Sequence, residues 1–434
     1  MTISLRTFRR GIHPPANKFT KDSPLEDFSI PEKLFVPLSQ HIGAPANAVV
    51  QVGDHVDEGQ LIGEANGFVS ANVYSPVSGT VKSFVTLPTA TGQDALHVEI
   101  ENDFLYTSQS LKPLKDPTKD EIIARVREAG IVGMGGATFP THVKLSPKDK
   151  VDTLIINGAE CEPYITCDYR LFMEKAPTII KGIKLLMKAL DVTHAYIGIE
   201  SNKISAIRYL TSLVPQGIDV MKLKTKFPQG AEKQLIYAIT RRVVPTGALP
   251  ASVGCVVCNA HTAYSVARAV LFGEPCYKRV MTVSGGGVEN RGNFWVRNGT
   301  PYQFVYDTCR GDKDEDVTRK VISGGPMMGF AQADLRACCS KGTSCLLFLT
   351  KKEFNTSPTT PCISCGKCII NCPMSLVPRE IERAVEKNDF EGTFKMGVLN
   401  CMECGACSYS CPAKRPLVQA MRLAKKEIKT RGIK

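Results

Sequence analysis

The C-terminal part of the chain repeats one cysteine pattern: Cys362-x2-Cys365-x2-Cys368-x3-Cys372-Pro373 is followed by Cys401-x2-Cys404-x2-Cys407-x3-Cys411-Pro412. Eight thiolates at this spacing are typical of a pair of [4Fe–4S] clusters, in which the first three cysteines of each run hold one cluster and the fourth reaches the other. The sequence therefore predicts one cluster on Cys362, Cys365, Cys368 and Cys411, and a second on Cys401, Cys404, Cys407 and Cys372.

Two structural zinc sites are the alternative interpretation of these cysteines. Zinc closes its shell with four ligands, which usually arrive as two separated pairs. A zinc site does not require three evenly spaced thiolates followed by a Cys-Pro pair, and this chain contains that arrangement twice. The pattern favours clusters, which pass single electrons, so the rest of the chain is expected to contain the source or the acceptor of those electrons.

Length and composition narrow the class of protein. The 434 residues suggest about three domains on length alone. Seventeen cysteines and an N-terminus without the apolar segment of a secretory signal predict a reducing compartment, where thiols bind metals. No run approaches the roughly 18–20 apolar residues that a membrane span requires. We therefore expect neither a disulfide-rich secreted protein nor a membrane-spanning chain.

Much of the net charge of +12 lies at the C-terminus, where residues 414–434 contain eight Lys or Arg and one acid, Glu427. The apolar residues of this segment share one helical face: Leu417, Val418, Met421 and Ile428. Such a helix suits an acidic protein, an anionic lipid surface or nucleic acid, or it is a solvated helix packed on the cluster domain. No aromatic-rich basic face accompanies the charge, which disfavours nucleic acid.

Residues from about 35 to 100 read as short strands with frequent turns, which predicts a small all-β unit. Within it, residues 52–59 and 75–81 bracket Glu64-Ala-Asn-Gly-Phe68. That layout resembles the barrel-sandwich hybrid of biotinyl and lipoyl carriers, whose hairpin tip bears the cofactor on a lysine. The corresponding position is Gly67, so we predict an assembly surface and no covalent carrier.

The middle of the chain alternates between helical and extended patterns. Ile122, Ile123, Val126 and Ala129 have helical spacing, and residues 151–157 form a short apolar run typical of a buried parallel strand. Residues 171–190 and 204–213 are predicted helical, and 194–199 and 218–223 extended. This alternation favours α/β layers around a parallel sheet. Residues 275–345 are richer in short strands and glycines, which indicates a small α+β module, and 351–361 read as a linker.

A glycine-rich loop follows the first of these helices: Gly130-Ile-Val-Gly133-Met-Gly135-Gly136-Ala-Thr-Phe139-Pro140-Thr-His-Val-Lys144. Clustered glycines let backbone N–H groups approach a phosphate, although turn glycines are the simpler explanation. The loop follows a helix and not a strand, so it is not a Rossmann fingerprint. Lys144 supplies a point charge for a phosphate, and Phe139 supplies a ring face for a flavin or nicotinamide.

At these residues the chain resembles a known family. The glycine loop, Asn157-Gly-Ala-Glu160-Cys-Glu162-Pro163, Gly230-Ala-Glu232 and Asn259-Ala-His-Thr262 look like the flavin and NADH site of the 51 kDa-type subunits of respiratory complex I. From about residue 5 to 425, including Arg9-Arg-Gly-Ile-His-Pro-Pro15, the chain more closely resembles the C subunit of the Rnf ferredoxin:NAD+ oxidoreductase. The resemblance implies non-covalent FMN, NAD(H) and two [4Fe–4S] clusters.

The resemblance also implies residue roles. Gly133, Gly135 and Gly136 would line the phosphate and ribityl chain of FMN, with Lys144 as counter-charge. Asn157 and Asn259 would hydrogen-bond FMN. Near the nicotinamide nucleotide the resemblance places Glu160, Glu162, Glu232 and the ring of Phe139. Two departures stand out: the complex I loop carries arginines where this chain has Val132 and Met134, and its paired glutamates are here Ala231-Glu232.

These features predict a multidomain α/β protein with four domains. They are an N-terminal barrel-sandwich-hybrid-like β domain at 1–112, an FMN/NADH-binding α/β domain with a parallel sheet at 113–274, a small β-grasp-like α+β module at 275–350, and a helical, ferredoxin-like two-[4Fe–4S] domain with the basic helix at 351–434. Isolated cysteines outside the two runs, such as Cys255, Cys258 and Cys161, are predicted to be structural thiols.

Flavin chemistry explains why these modules occur together. Nicotinamide exchanges electrons in pairs and an iron–sulfur cluster takes one at a time, while a flavin does both. No protein acid or base is predicted in the chemical step. The resemblance implies an enzyme subunit peripheral to the cytoplasmic face of the cell membrane, with integral-membrane and iron–sulfur subunits as partners and ferredoxin as an indirect one. Two alternatives stay open: a soluble flavin/iron–sulfur cobalamin reductase, and a non-catalytic electron-wire protein.

Overall fold

Two small antiparallel sheets form the N-terminal part of the protein, whose computed structural model describes residues 5–311 and 317–433. Alternate side chains on two adjacent strands are apolar and fully buried, as strands with one face on a core require: Leu34, Val36, Val98 and Ile100. The first strand of the chain, β1 (Leu25–Asp27), belongs to a later sheet. The strands of the two small sheets are β2 (Lys33–Pro37), β3 (Asn47–Ala48), β4 (His55–Val56), β5 (Leu61–Glu64), β6 (Val73–Tyr74), β7 (Gly79–Pro88) and β8 (Asp94–Asn102).

The order of the strands is β2-β8-β7-β4 in one sheet and β3-β5-β6 in the other. Gly67 lies in the connection between β5 and β6 with a φ of +93° and open space around it. The next residue, Phe68, rests against the following domain: His142 Nε2 lies 2.9 Å from the Phe68 carbonyl oxygen, and the two rings meet edge to face. The hairpin tip is therefore a contact between domains.

A four-stranded sheet, parallel throughout, forms the centre of the next domain, in the order β11-β10-β9-β12. Its elements are α1 (Lys119–Glu128), α2 (Thr141–Lys144), β9 (Thr153–Asn157), α3 (Cys167–Leu190), β10 (His194–Glu200), α4 (Ile204–Leu213), β11 (Ile218–Leu223), α5 (Glu232–Thr240), β12 (Cys255–Asn259) and α6 (Ala260–Phe272). The central strand β9 is almost wholly apolar and buried, as a strand covered on both faces must be.

Helices α3 and α6 cross at close range on this sheet. A Cβ atom on Gly182 of α3 would lie 1.8 Å from the carbonyl oxygen of Ala263 on α6. Only a glycine allows this approach. The crossing fixes α6, and with it the position of Asn259 directly before the helix.

A six-stranded mixed sheet follows, in the order β1-β14-β13-β17-β15-β16. Its elements are β13 (Lys278–Ser284), β14 (Gly292–Arg297), α7 (Tyr302–Cys309), β15 (Lys320–Ser323), β16 (Phe330–Ala331) and β17 (Cys345–Leu349). Strand β1 pairs in parallel with β14, so residues 25–27 belong to this sheet and not to the N-terminal sandwich. The N-terminal segment therefore spans two of the predicted domains.

The C-terminal domain is helical and contains α8 (Lys367–Ile370), α9 (Pro378–Glu386), α10 (Phe390–Lys395), α11 (Ala406–Ser410) and α12 (Leu417–Arg431). The four apolar residues of the last helix, Leu417, Val418, Met421 and Ile428, are buried against the cluster domain. For the apolar face of this helix, the structure thus supports the interpretation that the helix packs on its own domain.

Four of the eight basic residues from 414 to 434 form ion pairs in the part of the chain that the structure describes: Arg415, Arg422, Lys425 and Arg431. Arg415 contacts Glu382 and Glu386, and Arg422 and Lys425 both contact Glu403. The positive charge counted from the sequence therefore overstates the free charge on this surface. In the part of the chain that the structure describes, none of the helices combines the length and the apolar character of a membrane span.

Candidate functional site

The cysteines of the two runs line two cavities in the C-terminal domain. One, the outer cavity, is lined by Cys362, Cys365, Cys368 and Cys411. The other, the inner cavity, is lined by Cys372, Cys401, Cys404 and Cys407. Each cavity receives three cysteines from one run and the fourth from the other, and these are the two sets that the crossed assignment predicts.

The donor sets suit clusters. Among the described residues, no three Cys, His, Asp or Glu side chains converge closely enough to hold a single metal ion; the four thiols of each set instead surround a shared space. Backbone N–H groups of Ser364 and Glu403 donate to Cys362 and Cys401 sulfur at 3.4 and 3.3 Å, the kind of hydrogen bond that tunes cluster potential. Burial raises the pKa of the Cys404 thiol to about 12, so bound iron is needed to stabilise the thiolate.

The two cavities differ in exposure. Cys362 and Cys365 of the outer cavity are exposed, and the intervening Ile363 is 66% exposed. Cys404 and Cys407 of the inner cavity are buried. The inner cavity also faces the α/β domain, because Gln234 of α5 donates from Nε2 to the carbonyl oxygen of Pro373 at 3.2 Å.

The α/β domain contributes a second group of candidate site residues, and two asparagines lie side by side at the carboxyl edge of its parallel sheet. Asn157 ends β9, Asn259 ends β12, and the two residues are register partners on adjacent strands. Asn157 Nδ2 donates to the Gly230 carbonyl oxygen at 2.8 Å, and Asn259 caps α6 by accepting from His261 N–H. The carboxyl ends of parallel strands are where open α/β sheets bind ligands.

The glycine loop lies directly over this edge. A side chain on Gly135 would collide with Asn259, since its Cβ atom would lie 2.6 Å from Asn259 Nδ2. Gly136 is exposed, with open space where a Cβ atom would be. Gly133 N–H donates to the Phe139 carbonyl oxygen at 2.9 Å and closes the loop. The residues present fit a phosphate-bearing cofactor, because Gly135 brings the loop against Asn259 while the backbone at Gly136 is open to a ligand.

Lys144 and Glu232 form an ion pair beside this loop, with Nζ 3.0 Å from Oε1. The side chains are 29% and 41% exposed, so the pair stands at the mouth of the site. Lys144 Nζ also donates to the Val257 carbonyl oxygen at 3.1 Å. Burial opposes the charged form of Lys144, but the Glu232 carboxylate outweighs it and raises the lysine pKa.

Glu160 and Glu162 both accept hydrogen bonds from backbone N–H groups. Glu160 Oε1 accepts from Asp168 N–H at 2.7 Å, while its Oε2 is buried without a partner among the described residues. Glu162 accepts from Met327 and Met328 N–H at 3.0 and 2.8 Å. Burial raises the pKa of both carboxyls to about 7. The unpartnered oxygen of Glu160 is the free acceptor that this turn presents.

Sequence reasoning missed Asp168 and Lys18. Asn259 Nδ2 donates to Asp168 Oδ2 at 2.6 Å, so this aspartate fixes the asparagine amide. Lys18 donates to the carbonyl oxygens of Glu160, Glu162 and Ile165 at 2.9, 2.8 and 2.6 Å. Asp168 lies six residues after Glu162, in the first turn of α3. An acidic residue so near the two glutamates could have been included among the candidate site residues from the sequence. Lys18 lies 142 residues before Glu160 and carries no local signal.

Cys255 and Cys258, outside the two runs, behave as structural thiols. Cys255 and Cys258 are three residues apart on β12, so their side chains point to opposite faces of the sheet. Both are buried, in different core clusters. Burial raises the pKa of Cys258 to about 11. These two thiols cannot chelate one metal.

Three known protein families match separate parts of the chain. Residues 126–268 match the family described as "Nuo51 FMN-binding domain". Residues 6–104 match "RnfC Barrel sandwich hybrid domain", and residues 356–412 match "4Fe-4S dicluster domain". A flavin-binding α/β domain joined to a two-cluster domain defines a flavin and iron–sulfur electron-transfer protein.

Full-length relatives narrow this class. The chain is 46% identical to the C subunit of the Na(+)-translocating ferredoxin:NAD(+) oxidoreductase complex of Acetobacterium woodii, over 99% of this chain and 98% of the relative. It is 45% identical to the C subunit of the proton-translocating complex of Clostridium ljungdahlii, over 99% and 95%. It is 42% identical to the C subunit of the ion-translocating oxidoreductase complex of Rhodobacter capsulatus, over 98% and 84%. The chain belongs to this family, the C subunits of the ion-translocating ferredoxin:NAD+ oxidoreductase (Rnf) complexes.

The fold is also found among solved structures. The NAD+-reducing [NiFe]-hydrogenase in its H2-reduced state has a TM-score of 0.50 with this protein, over 72% of this chain and 67% of that chain. The sequence identity is 17%, so this likeness concerns the fold alone.

Proposed function

We propose that this protein exchanges electrons between NAD(H) and two [4Fe–4S] clusters through FMN, as a peripheral oxidoreductase subunit of an ion-translocating ferredoxin:NAD+ oxidoreductase complex. The family match to an FMN-binding domain, the two cysteine-lined cavities and the full-length relatives support this function. When bound, FMN supplies the exchange between paired and single electrons.

The observation that carries the proposal is a single loop, residues 324–329. This loop contacts both the turn that carries Glu160 and Glu162 and the inner cavity of the cluster domain. Its backbone donates to Glu162 of the glutamate turn at Met327 and Met328. On its other side, the Met327 carbonyl oxygen lies against Gly405 of the inner cavity, 2.9 Å from where a Cβ atom would be. One short segment therefore lies between the turn that carries Glu162 and the inner cavity. A cluster in this cavity would be the first to exchange electrons with a flavin bound beside that turn.

The residues of the chain bind and orient, and none acts as an acid or base. Gly133, Gly135 and Gly136 would hold the phosphate and ribityl chain of FMN, with Lys144 as the charge beside them. Asn157 and Asn259 would hydrogen-bond FMN from the sheet edge. The nicotinamide nucleotide would contact Phe139, Glu160, Glu162 and Glu232. The cluster ligands would be Cys362, Cys365, Cys368 and Cys411, and Cys401, Cys404, Cys407 and Cys372.

The domain organisation belongs to the same proposal. The boundaries would be 1–112, 113–274, 275–350 and 351–434, with the mixed sheet as a β-grasp-like module to which residues 25–27 add a strand. The protein would sit at the cytoplasmic face of the cell membrane, held by integral-membrane and iron–sulfur subunits and reached by ferredoxin indirectly. The exposed outer cavity would face the iron–sulfur partner, since electron transfer requires the donor and the acceptor to approach closely.

The test is anaerobic purification of the full chain, with assays for iron, sulfide and FMN. About eight irons per chain are expected from two [4Fe–4S] clusters, together with one flavin. NADH should then reduce the clusters in the absence of any other protein. Eight irons without flavin, and without reduction by NADH after FMN is supplied, would leave a non-catalytic electron wire.

A further inference from the structure

Two buried cations lie beneath the glycine loop, and both come from the mixed-sheet module. Arg279 is on β13 and Lys341 lies shortly before β17, with 1% and 0% of their surface exposed. Arg279 Nη1 donates to the Met134 carbonyl oxygen at 3.0 Å. Lys341 Nζ donates to the Gly130 carbonyl oxygen at 2.8 Å. Lys341 thus contacts the loop near its start, and Arg279 contacts it at its centre.

Among the described residues, no direct ion pair joins Arg279 or Lys341 to a carboxylate, and Arg279 Nη2 is buried without a hydrogen-bond partner. Arg279 acts at longer range on Asp168: burial raises the pKa of that carboxyl, and the guanidinium opposes the rise. The other hydrogen bonds of the two cations go to carbonyl oxygens: Lys341 Nζ donates to Asn72, and Arg279 donates to Val280 from Nε and to Lys341 from Nη1. Buried charges are normally paired because desolvating them costs free energy. Two unpaired cations at one place indicate that an anion completes the arrangement.

The geometry of the peptide unit directs this charge toward the open side of the loop. In a trans peptide the C=O of one residue and the N–H of the next point in opposite directions. Arg279 holds the Met134 carbonyl oxygen, so the N–H of Gly135 points away from Arg279. That direction leads to the exposed side of the loop at Gly135 and Gly136. A cation on the carbonyl also polarises the peptide and strengthens its N–H as a donor.

The loop itself lacks positive charge. Positions 132 and 134 are Val132 and Met134, both fully buried. We propose that Arg279 and Lys341 are positioning residues for the flavin phosphate: both hold carbonyl oxygens of the glycine loop and supply the positive potential that Val132 and Met134 do not. Arg279 acts through the peptide between Met134 and Gly135. Lys341 acts by its charge alone, because the Ile131 N–H that follows its carbonyl partner donates to the Val126 carbonyl oxygen. This inference rests on the proposed function, since it takes FMN as the ligand.

FMN and riboflavin, which differ by the phosphate alone, separate this role from a structural one. The full chain, with its clusters loaded and its flavin removed, is titrated with each ligand by flavin fluorescence. The variants are Arg279→Gln and Lys341→Gln, which keep an N–H donor and lose the charge. Lys181→Gln, at an exposed position of α3, is the matched control for lost charge.

We expect each charge-removing variant to weaken FMN binding about tenfold, within the range for substitutions that act on a ligand without contacting it, while riboflavin binding changes by less than about twofold. Arg279→Lys should keep most of the preference for FMN over riboflavin. Equal weakening of both ligands would overturn the inference and leave the cations as supports of loop shape. Unchanged binding of both would also overturn it. If the wild-type chain binds neither flavin, the proposed function itself fails.

The wild-type chain provides a second measurement that does not depend on folding of a variant. Burial lowers the pKa of Lys341 to about 8. Two titratable groups face Lys341: burial lowers the pKa of His41 to about 4, outside this range, and raises that of the Cys276 thiol. The third neighbour is the guanidinium of Arg279, which donates to the Lys341 carbonyl oxygen. The FMN phosphate is already dianionic at pH 7. The preference for FMN over riboflavin should therefore fall between pH 7 and pH 9, and a constant preference would count against Lys341.

Discussion

Glu162 Oε2 accepts a hydrogen bond from Met327 N–H at 3.0 Å, across 165 residues of sequence. The same carboxylate accepts from Met328 N–H through its other oxygen. The turn that carries the site glutamates is therefore joined to the loop on which Gly405 of the inner cavity rests. Because one carboxylate connects the two, a change at the flavin end is expected to alter the contact with the cluster domain as well.

The first prediction separates these two roles of Glu162. Glu162→Ala removes both acceptors and releases the 324–329 loop, so we expect NADH-driven reduction of the clusters to fall by at least about tenfold. Glu162→Gln keeps one acceptor oxygen and should lose less. The measurement is the rate of cluster bleaching after NADH is added anaerobically, with Glu391→Gln as an exposed control. Equal rates in Glu162→Ala and wild type would show that the connection is dispensable.

The second prediction concerns the ion pair of Lys144 and Glu232. Lys144→Gln removes the charge at the mouth of the glycine loop, so the purified chain should contain less FMN. Glu232→Gln leaves that charge in place and should raise the KM for NADH several-fold, with FMN content unchanged. The two are measured as flavin per chain and as steady-state dye reduction. The same loss of flavin in both variants would mean that the pair acts only as a unit.

The third prediction tests how the two runs share their fourth cysteines. Cys411→Ser should remove the cluster of the outer cavity and Cys372→Ser that of the inner cavity, and each should lower the iron content from about eight to about four. NADH should still reduce the remaining cluster in Cys411→Ser, because the inner cavity faces the α/β domain. In Cys372→Ser that reduction should be slow. Electron paramagnetic resonance of the reduced protein identifies which cluster is left, and the reverse pattern would contradict the assignment.

Local signals were sufficient for much of the fold. The predicted segments 204–213 and 218–223 coincide with α4 (Ile204–Leu213) and β11 (Ile218–Leu223), because their hydrophobic periodicity agrees with their final environment. The cysteine runs identified the two cavities for a similar reason, since ligand spacing is a local property. The parallel sheet also follows from alternation along the chain.

Long-range contacts were beyond such signals. Strand β1 pairs with β14 some 268 residues later. The three residues of β1, Leu25-Glu-Asp27, contain no pattern that indicates this pairing. Arg279 and Lys341 reach the glycine loop from a different module, across 145 and 211 residues. In the sequence they are two basic residues among 54. Their role depends on which carbonyl oxygens the tertiary fold brings to them.

The fourth prediction concerns the crossing of α3 and α6. Gly182→Ala would place a Cβ atom 1.8 Å from the Ala263 carbonyl oxygen, so the helices must move apart. We expect a loss of about 1–3 kcal/mol in the free energy of unfolding, as for other overpacked cores. Lys181→Ala, one residue earlier on the exposed face of the helix, is the control and should be near neutral. Urea unfolding followed by far-UV circular dichroism compares the two.

The last prediction links Lys341 to stability through pH. Burial lowers the pKa of Lys341 from 10.5 to about 8. The folded state therefore binds this proton less tightly than the unfolded chain does, and the contribution of Lys341 to the free energy of unfolding rises as pH rises from about 8 to 10.5. Over the whole window this contribution amounts to about 3 kcal/mol.

Lys341→Met carries no charge at any pH, so its stability relative to wild type should be highest near pH 7 and should decline as the pH approaches 10. Taking the difference between the two proteins cancels the many buried thiols and phenols that titrate in the same range. The measurement is the difference in thermal midpoint at several pH values, with Lys181→Met as the exposed control. A constant difference would mean that Lys341 keeps its ordinary pKa and is not under electrostatic strain. A declining difference would mean that the fold retains a cation at the cost of stability, as expected of a residue kept for its ligand.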